Sequence, residues 1–411
     1  MLEKLFINCT SKCYRAIFTF AVIMVATFNP LPYTLAGEPL DSLVDKAARI
    51  SLEHLAASVN EVSDTTLFPT YGTKDLKWQL KPAEDWTAGF YPGCLWYAYE
   101  LSNDQRFEHW ARQWTSSLEK EKNNSGTHDL GFKFMCSYGN GLKLDVKLEK
   151  SDYKNIILAA ANTLAERYDS KLKCLSSNWD MKPEKNSCPV IIDVMMNLEL
   201  LFWASENDGP AYFSDYARNH AIVTARDFIR PDGGTYHIVR YDKNTGAVIN
   251  KGTLQGAGDE TTWSRGHAWG IYGFVVAYRY TKEKLFLDDA IRLADYFIKH
   301  LPEDHIAPWD FQSDIKYRDV SASCIVTSAL FEMINYIKND SLKNYYKSEA
   351  EAMLSSLCKA PYFNGNKNTN CLLAHSVQFL PINSNVDVPS IFADYYFLEA
   401  ITRYRQMETH L

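Results

Sequence analysis

The sequence predicts an all-α chain of repeated helical hairpins drawn together into one domain. Amphipathic patterns of helical period recur from residue 40 almost to the C-terminus. One helix of several pairs opens on small and aromatic residues, as crowded inner helices around a pocket require. No long Pro- or Ser-rich linker divides the chain. Two continuations remain open, an extended superhelix or a toroid of inner and outer helices; the small and aromatic helix starts favour the closed form.

Residues 1–36 read as a secretory signal. Lys4, Lys12 and Arg15 precede the apolar run Ala16–Phe28, and Thr34-Leu-Ala36 stands before Gly37. The run is shorter than the roughly 20 residues that span a bilayer, so export with cleavage is expected and stable membrane insertion is not. The first helix follows over 41–55, with Leu43, Val44, Ala47, Ala48, Ile50 and Leu55 near one face. Comparable patterns occupy 153–168, 212–229, 285–301, 321–338, 341–358 and 391–405. The stretch from Gly89 to Phe107 resembles that from Gly270 to Phe286, and such units recur about every 50 to 60 residues, too widely and unevenly for tetratricopeptide or ankyrin arrays. Strand signals are confined to 235–251, where two β-rich runs flank Asn244-Thr-Gly246 as a short hairpin.

Composition narrows the function. The chain has 411 residues, 43 basic and 50 acidic side chains and a net charge of −7. Without its leader it keeps 40 basic against 49 acidic. An acidic chain with no basic cluster is a poor binder of nucleic acid. Of nine cysteines, Cys9 and Cys13 leave with the leader. An oxidising compartment permits Cys174–Cys188 or Cys358–Cys371 bridges, while Cys94, Cys136 and Cys324 read as buried thiols. There is no Cys-x-x-Cys, no His-Glu-x-x-His and no Gly-x-Ser-x-Gly, so neither structural zinc, zinc protease nor serine esterase is indicated.

Asp193 is the residue that points to chemistry. In Val190-Ile-Ile-Asp193-Val-Met-Met-Asn197-Leu a carboxylate interrupts what reads as an apolar helix, with Asn197 one turn later. Burial would raise its pKa and let it carry a proton at neutral pH, as a general acid does. The competing reading, a carboxylate cross-linking helices through Asn197, has even weight on this segment alone. Asp129, in His128-Asp-Leu-Gly-Phe132, is a candidate second carboxylate or a turn residue. The segment Gly252–Tyr272 crowds Gln255, Trp263, Arg265, His267 and Trp269 into a loop entering a helix, a mixture suited to sugar stacking and carboxylate binding. Its glycines fit neither a dinucleotide nor a phosphate loop. Trp86, Trp179, Trp263 and Trp269 each also fit a packing role.

These motifs together resemble a known group. Asp85-Trp-Thr-Ala-Gly-Phe-Tyr-Pro-Gly93, His128-Asp-Leu-Gly-Phe132, Ile192-Asp-Val-Met-Met-Asn-Leu198, Trp263-Ser-Arg-Gly-His-Ala-Trp-Gly270 and the run from Asp387 to Ala400 are similar to the unsaturated glucuronyl hydrolases of glycoside hydrolase family 88. The resemblance covers nearly all of 37–411 and implies a single (α/α)6-barrel catalytic domain. It implies action on unsaturated uronic-acid disaccharides or oligosaccharides downstream of a polysaccharide lyase. The leader points to the periplasm, and no cofactor or metal is expected. The resemblance further implies that Asp193 is the general acid and base and Asp129 the second essential aspartate. Trp86, Trp179, His237, Asn197, Gln255, Arg265 and Trp269 become sugar-site positions, with Arg265 pairing either the uronate or Asp193. The related unsaturated rhamnogalacturonyl hydrolases, and a non-catalytic helical carbohydrate-binding protein, are the alternative readings.

Overall fold

The computed structural model describes residues 38–144, 150–366 and 369–408; the expected leader at 1–36 lies outside the described residues. From Leu40 onward the chain forms one compact unit.

The chain alternates outer and inner helices. Outer α1 (Leu40–Val62) leads through strands β1 (Leu67–Gly72) and β2 (Trp78–Pro82) to inner α2 (Phe90–Ser102). Outer α3 (Gln105–Ser117) precedes an inner stretch made of α4 (Leu130–Phe134), a π-turn at Met135–Gly139 and α5 (Asn140–Leu144). Outer α6 (Lys150–Ala165), short strands β3 (Tyr168–Asp169) and β4 (Cys174–Leu175), and β5 (Ser187–Ile191) lead to inner α7 (Leu198–Glu206). Outer α8 (Tyr212–Asp227) and the hairpin β6 (Ile238–Asp242) and β7 (Val248–Gly252) lead to inner α9 (Ser264–Thr281). Outer α10 (Lys284–Lys299) pairs with inner α11 (Val320–Met333). Outer α12 (Asp340–Leu357) and the hairpin β8 (Ser376–Phe379) and β9 (Ser384–Val388) lead to inner α13 (Ile391–Glu408).

The inner elements contact one another in the order α2, α13, α11, α9, α7, α4 and, through the π-turn, α2 again. This closes an (α/α)6 barrel, as the family resemblance implied. Residue type explains the division: α11 is buried along its whole length, whereas α10 buries only a stripe from Phe286 to Phe297. Small residues let the inner helices approach; a Cβ on Gly93 would stand 2.4 Å from the Tyr395 ring.

The C-terminal halves of the inner helices are tied by buried ion pairs. Arg279 grips Glu332 at 2.6 Å and also meets Glu199, Arg403 reaches Glu332 at 2.9 Å, and Tyr97, Tyr272 and Ser328 all donate to Glu399. A cavity of about 870 Å³ lies among these groups, and neither Asp129 nor Asp193 lines it. The opposite end gathers the helix N-termini.

Three expectations need correction. Strands are not confined to 235–251, since β1–β2, β3–β4 and β8–β9 form three further antiparallel pairs. Val190-Ile-Ile192 is not helical: Val190 and Ile191 pair with Val239 and Ile238 as a third strand beside the expected hairpin, and Asp193 lies in the following 3-10 turn, Ile192–Asn197. β-branched residues after Pro189 favour this extended edge. The cysteines at 94, 136, 174, 188, 324, 358 and 371 are all free and buried, so neither bridge that an oxidising compartment would permit is formed. Among the described residues no helix is long and apolar enough to cross a membrane.

Candidate active site

The N-terminal ends of the inner helices converge. Trp86 lies just before α2, Asp129 stands at the start of α4, Asp193 precedes α7 by one 3-10 turn, and Arg265 and Trp269 occupy the first turns of α9. Their aromatic neighbours touch: Trp86 meets Phe132 at 5.6 Å and Phe392 at 5.2 Å between ring centroids, and Phe132 meets Trp269 at 5.0 Å. Helix N-termini carry partial positive charge, worth roughly 0.3–1 kcal/mol each to a nearby anion. An acidic chain thereby obtains a locally anion-attracting face.

The three-stranded sheet brings the polar groups together. Ile191 pairs with Ile238 and Ile238 with Gly252, so Asp193, His237 and Gln255 all emerge at the same end. The Ile192 amide donates to the His237 carbonyl at 3.0 Å. This register sets His237 Nε2 at 3.7 Å from Asp193 Oδ2. Neither atom has a hydrogen-bond partner, although both are buried. Unmet polar atoms facing each other in this way are uncommon in folded proteins and are compatible with a catalytic role.

Their protonation follows from the surroundings. Burial, reinforced by the negative charge of Asp129, pushes the Asp193 carboxyl up to about 7 against the opposing pull of Arg265. Burial, with Arg265 and Arg240 adding to it, holds His237 down to about 3. Nδ1 of His237 accepts from the Leu254 amide at 3.1 Å, so the neutral ring carries its proton on Nε2 and points it at Asp193.

Asp129 sits at a helix N-cap position without capping it. Its carboxylate instead receives the Thr127 hydroxyl at 3.3 Å, and one oxygen lies 3.4 Å from His128 Nε2. Asn197 Oδ1 accepts the Phe132 amide at 3.0 Å, while its Nδ2 faces Asp129 Oδ1 and the Asp193 carbonyl, each at 3.5 Å. The two acidic segments can approach this closely because residue 131 is glycine, whose Cβ would stand 2.4 Å from the Asn197 backbone.

Arg265 makes no ion pair with Asp193; its carboxylate partner within the chain is Asp319. It is buried against Asp319 at 2.7 Å, donates to the carbonyls of Val377 and Gln378, and stacks over Trp263 with its guanidinium carbon 4.5 Å from the ring centroid. Gln255 donates to the same Gln378 carbonyl at 2.8 Å, which joins the β8–β9 hairpin to the site. Trp179 is half-buried and lies 6.0 Å from the His237 ring. Trp269 is wholly buried with its indole nitrogen unpartnered. Asn197 has no solvent-exposed surface.

The residue that the sequence reading missed is Asp319. Its carboxylate also accepts the Ser321 amide at 3.2 Å as the N-cap of α11, so in the sequence it is indistinguishable from an ordinary helix cap. The His375–Asp387 segment forms the β8–β9 hairpin at the rim of this site, with His375 held to Asp387 at 2.6 Å. Among the described residues no group of His, Cys, Asp and Glu is arranged to hold a metal ion.

Comparison with known proteins agrees with this geometry. The profile of Glycosyl Hydrolase Family 88 matches residues 60–408. An unsaturated glucuronyl hydrolase of Formosa agariphila is 40% identical over 328 residues, 78% of this chain and 80% of that protein. An unsaturated chondroitin disaccharide hydrolase of Streptococcus pyogenes serotype M1 is 33% identical, covering 82% of this chain and 85% of that protein. The crystal structure of an unsaturated glucuronyl hydrolase specific for heparin superposes with a TM-score of 0.84 at 34% identity, covering 90% of this chain and 98% of that one. The order of the inner helices, the acids at their N-termini and a family match spanning nearly the whole compact unit lead to one conclusion: the chain belongs to glycosyl hydrolase family 88.

Proposed function

We propose that the protein is an unsaturated glucuronyl hydrolase, which hydrates the C4=C5 bond of the 4,5-unsaturated uronic acid that a polysaccharide lyase leaves at a non-reducing end. The observation that carries this is Asp193, a largely buried carboxyl pushed up to about 7, with one oxygen unpartnered and Asp129 beside it.

Protonation is the demanding step. The double bond is an enol ether conjugated to a carboxylate, so a proton delivered to C4 leaves oxocarbenium character at C5 and the ring oxygen. Asp193 gives that proton, and its carboxylate, facing the Nε2–H of His237, then takes one from the water that adds at C5. The resulting hemiketal opens to the keto acid and releases the remaining sugar. Asp129 keeps a negative charge beside Asp193 and helps hold the sugar. Trp86 and Trp179 offer stacking faces, and Trp269 an unmet indole N–H. Arg265, fixed by Asp319, acts at short range through its charge and anchors the β8–β9 rim. The retaining-or-inverting rule for paired carboxylates does not apply, because the anomeric carbon is not attacked.

We place the rim from His375 to Asp387 beside the sugar that follows the unsaturated one; it contains no Lys or Arg, which weighs against a strong sulfate clamp there. Secretion on the 1–36 leader would place the enzyme in the periplasm with lyase products. The test follows the conjugated ultraviolet absorbance of lyase-generated disaccharides. Wild-type protein is expected to abolish it, fastest on the unsulfated member of a matched sulfated and unsulfated panel. Saturable binding with constant absorbance would make the protein a carbohydrate binder, and rising absorbance would make it a lyase.

A further inference from the structure

Asn197 is an unusual residue for its position. Val194, Met195, Met196 and Leu198 around it are apolar and buried, and Asn197 itself has no exposed surface. A primary amide in such a place is costly for each polar atom left without a partner. Its oxygen is satisfied by the Phe132 amide at 3.0 Å. Its Nδ2 has two acceptors within reach, and they belong to the two acids: the Asp129 carboxylate and the Asp193 carbonyl, each at 3.5 Å. Catalytic hydrogen bonds are often this long before substrate binds. Gly131 is the second, independent sign that this junction is built for close approach, since any side chain there would strike the Asn197 backbone.

We propose that Asn197, expected from the sequence to touch the sugar, is instead a positioning residue that fixes Asp129 as a charged acceptor next to Asp193 and so sets the pH range of the general acid. The inference rests on the proposed hydrolase function. It makes a prediction that packing alone does not. The charged and titratable groups facing Asp193 are Asp129 from α4, Arg265 from α9 and His237 from the edge of β6; those around Asp129 include His128 and Arg167. Asn197 is uncharged and is bonded to both acid segments.

The experiment compares Asn197→Asp and Asn197→Ser with wild type in kcat and KM across pH 5–9 on an unsaturated disaccharide, with far-ultraviolet circular dichroism as the fold control. Asn197→Asp keeps the acceptor for Phe132 but replaces the donor by a charge. Its kcat is expected to fall about tenfold or more, with KM within about threefold, and its alkaline limb to move up by about one pH unit. Asn197→Ser puts a shorter hydroxyl in place of the amide, withdrawing the donor from Asp129 without adding charge, and its alkaline limb is expected to move down. Limbs that stay in place or move together, in folded variants, overturn the proposal; so does failure of both variants to fold, which leaves Asn197 a purely structural group. An inactive wild type would instead refute the hydrolase reading itself.

Discussion

Replacing Asp193 by Asn should make the protein both inactive and, at alkaline pH, more stable. Burial raises this carboxyl from 3.8 to about 7. Between those values the native state holds a proton that the unfolded chain has released, so stability falls as pH rises through the window, by about 1.4 kcal/mol per unit. Roughly three units correspond to about 4 kcal/mol, which residual solvent contact of the side chain reduces to about 2–4 kcal/mol. Asn has nearly the same shape and does not ionise. Asp193→Asn is therefore expected to match wild type in urea unfolding near pH 4 and to exceed it by about 2–4 kcal/mol at pH 9, with reductant present. Its rate of absorbance loss on the disaccharide should drop about 10²–10⁴-fold, the contribution of a positioned general acid. A stability difference that does not change with pH, or a fully active variant, would refute the reasoning.

Glu332 tests the opposite sign. Burial alone would raise it, but Arg279 and then Arg403 hold it at about 2, so its stabilisation is present above the unfolded value of 4.5 and is lost as pH falls toward 2. Glu332→Gln leaves the two guanidinia short of a charge partner and should cost about 3–5 kcal/mol in urea unfolding at pH 7, an effect that shrinks in acid. Gly131→Ala forces a Cβ against Asn197 and should cost about 1–3 kcal/mol, with a fall in kcat larger than that stability loss would produce, measured by melting and by the absorbance assay. Protein beginning at Gly37 should release seven thiols to Ellman's reagent in denaturant and almost none when native, because all seven cysteines are free and buried.

Helices of one character were readable along the chain. The stretch expected as a helix over 341–358 forms as Asp340–Leu357, and that over 212–229 as Tyr212–Asp227, because a stripe of apolar residues at helical spacing has few other ways to be buried. Asp193 was legible because an acid within an apolar run is costly unless it has a purpose. The strand Ser187–Ile191 was not, since a short run of Val and Ile next to a Leu-rich helix has no period of its own; its pairing with β6 decides its conformation. Asp319 was hidden for a similar reason, as a capping aspartate and an arginine partner leave the same mark in a sequence.

By itself the sequence determined the class of fold, the five motifs and the chemical types present: two aspartates, a histidine, an arginine and several tryptophans along an acidic chain. Only the tertiary structure decided what each faces. Proton affinity depends on burial and on charges within a few ångströms, and those distances are created by strand register and barrel closure between residues far apart in the chain. The Asp193–His237 approach of 3.7 Å comes from a β5–β6 pairing, and the commitment of Arg265 to Asp319 from the meeting of α9 with α11. Local sequence specifies the groups; long-range packing sets their electrostatics.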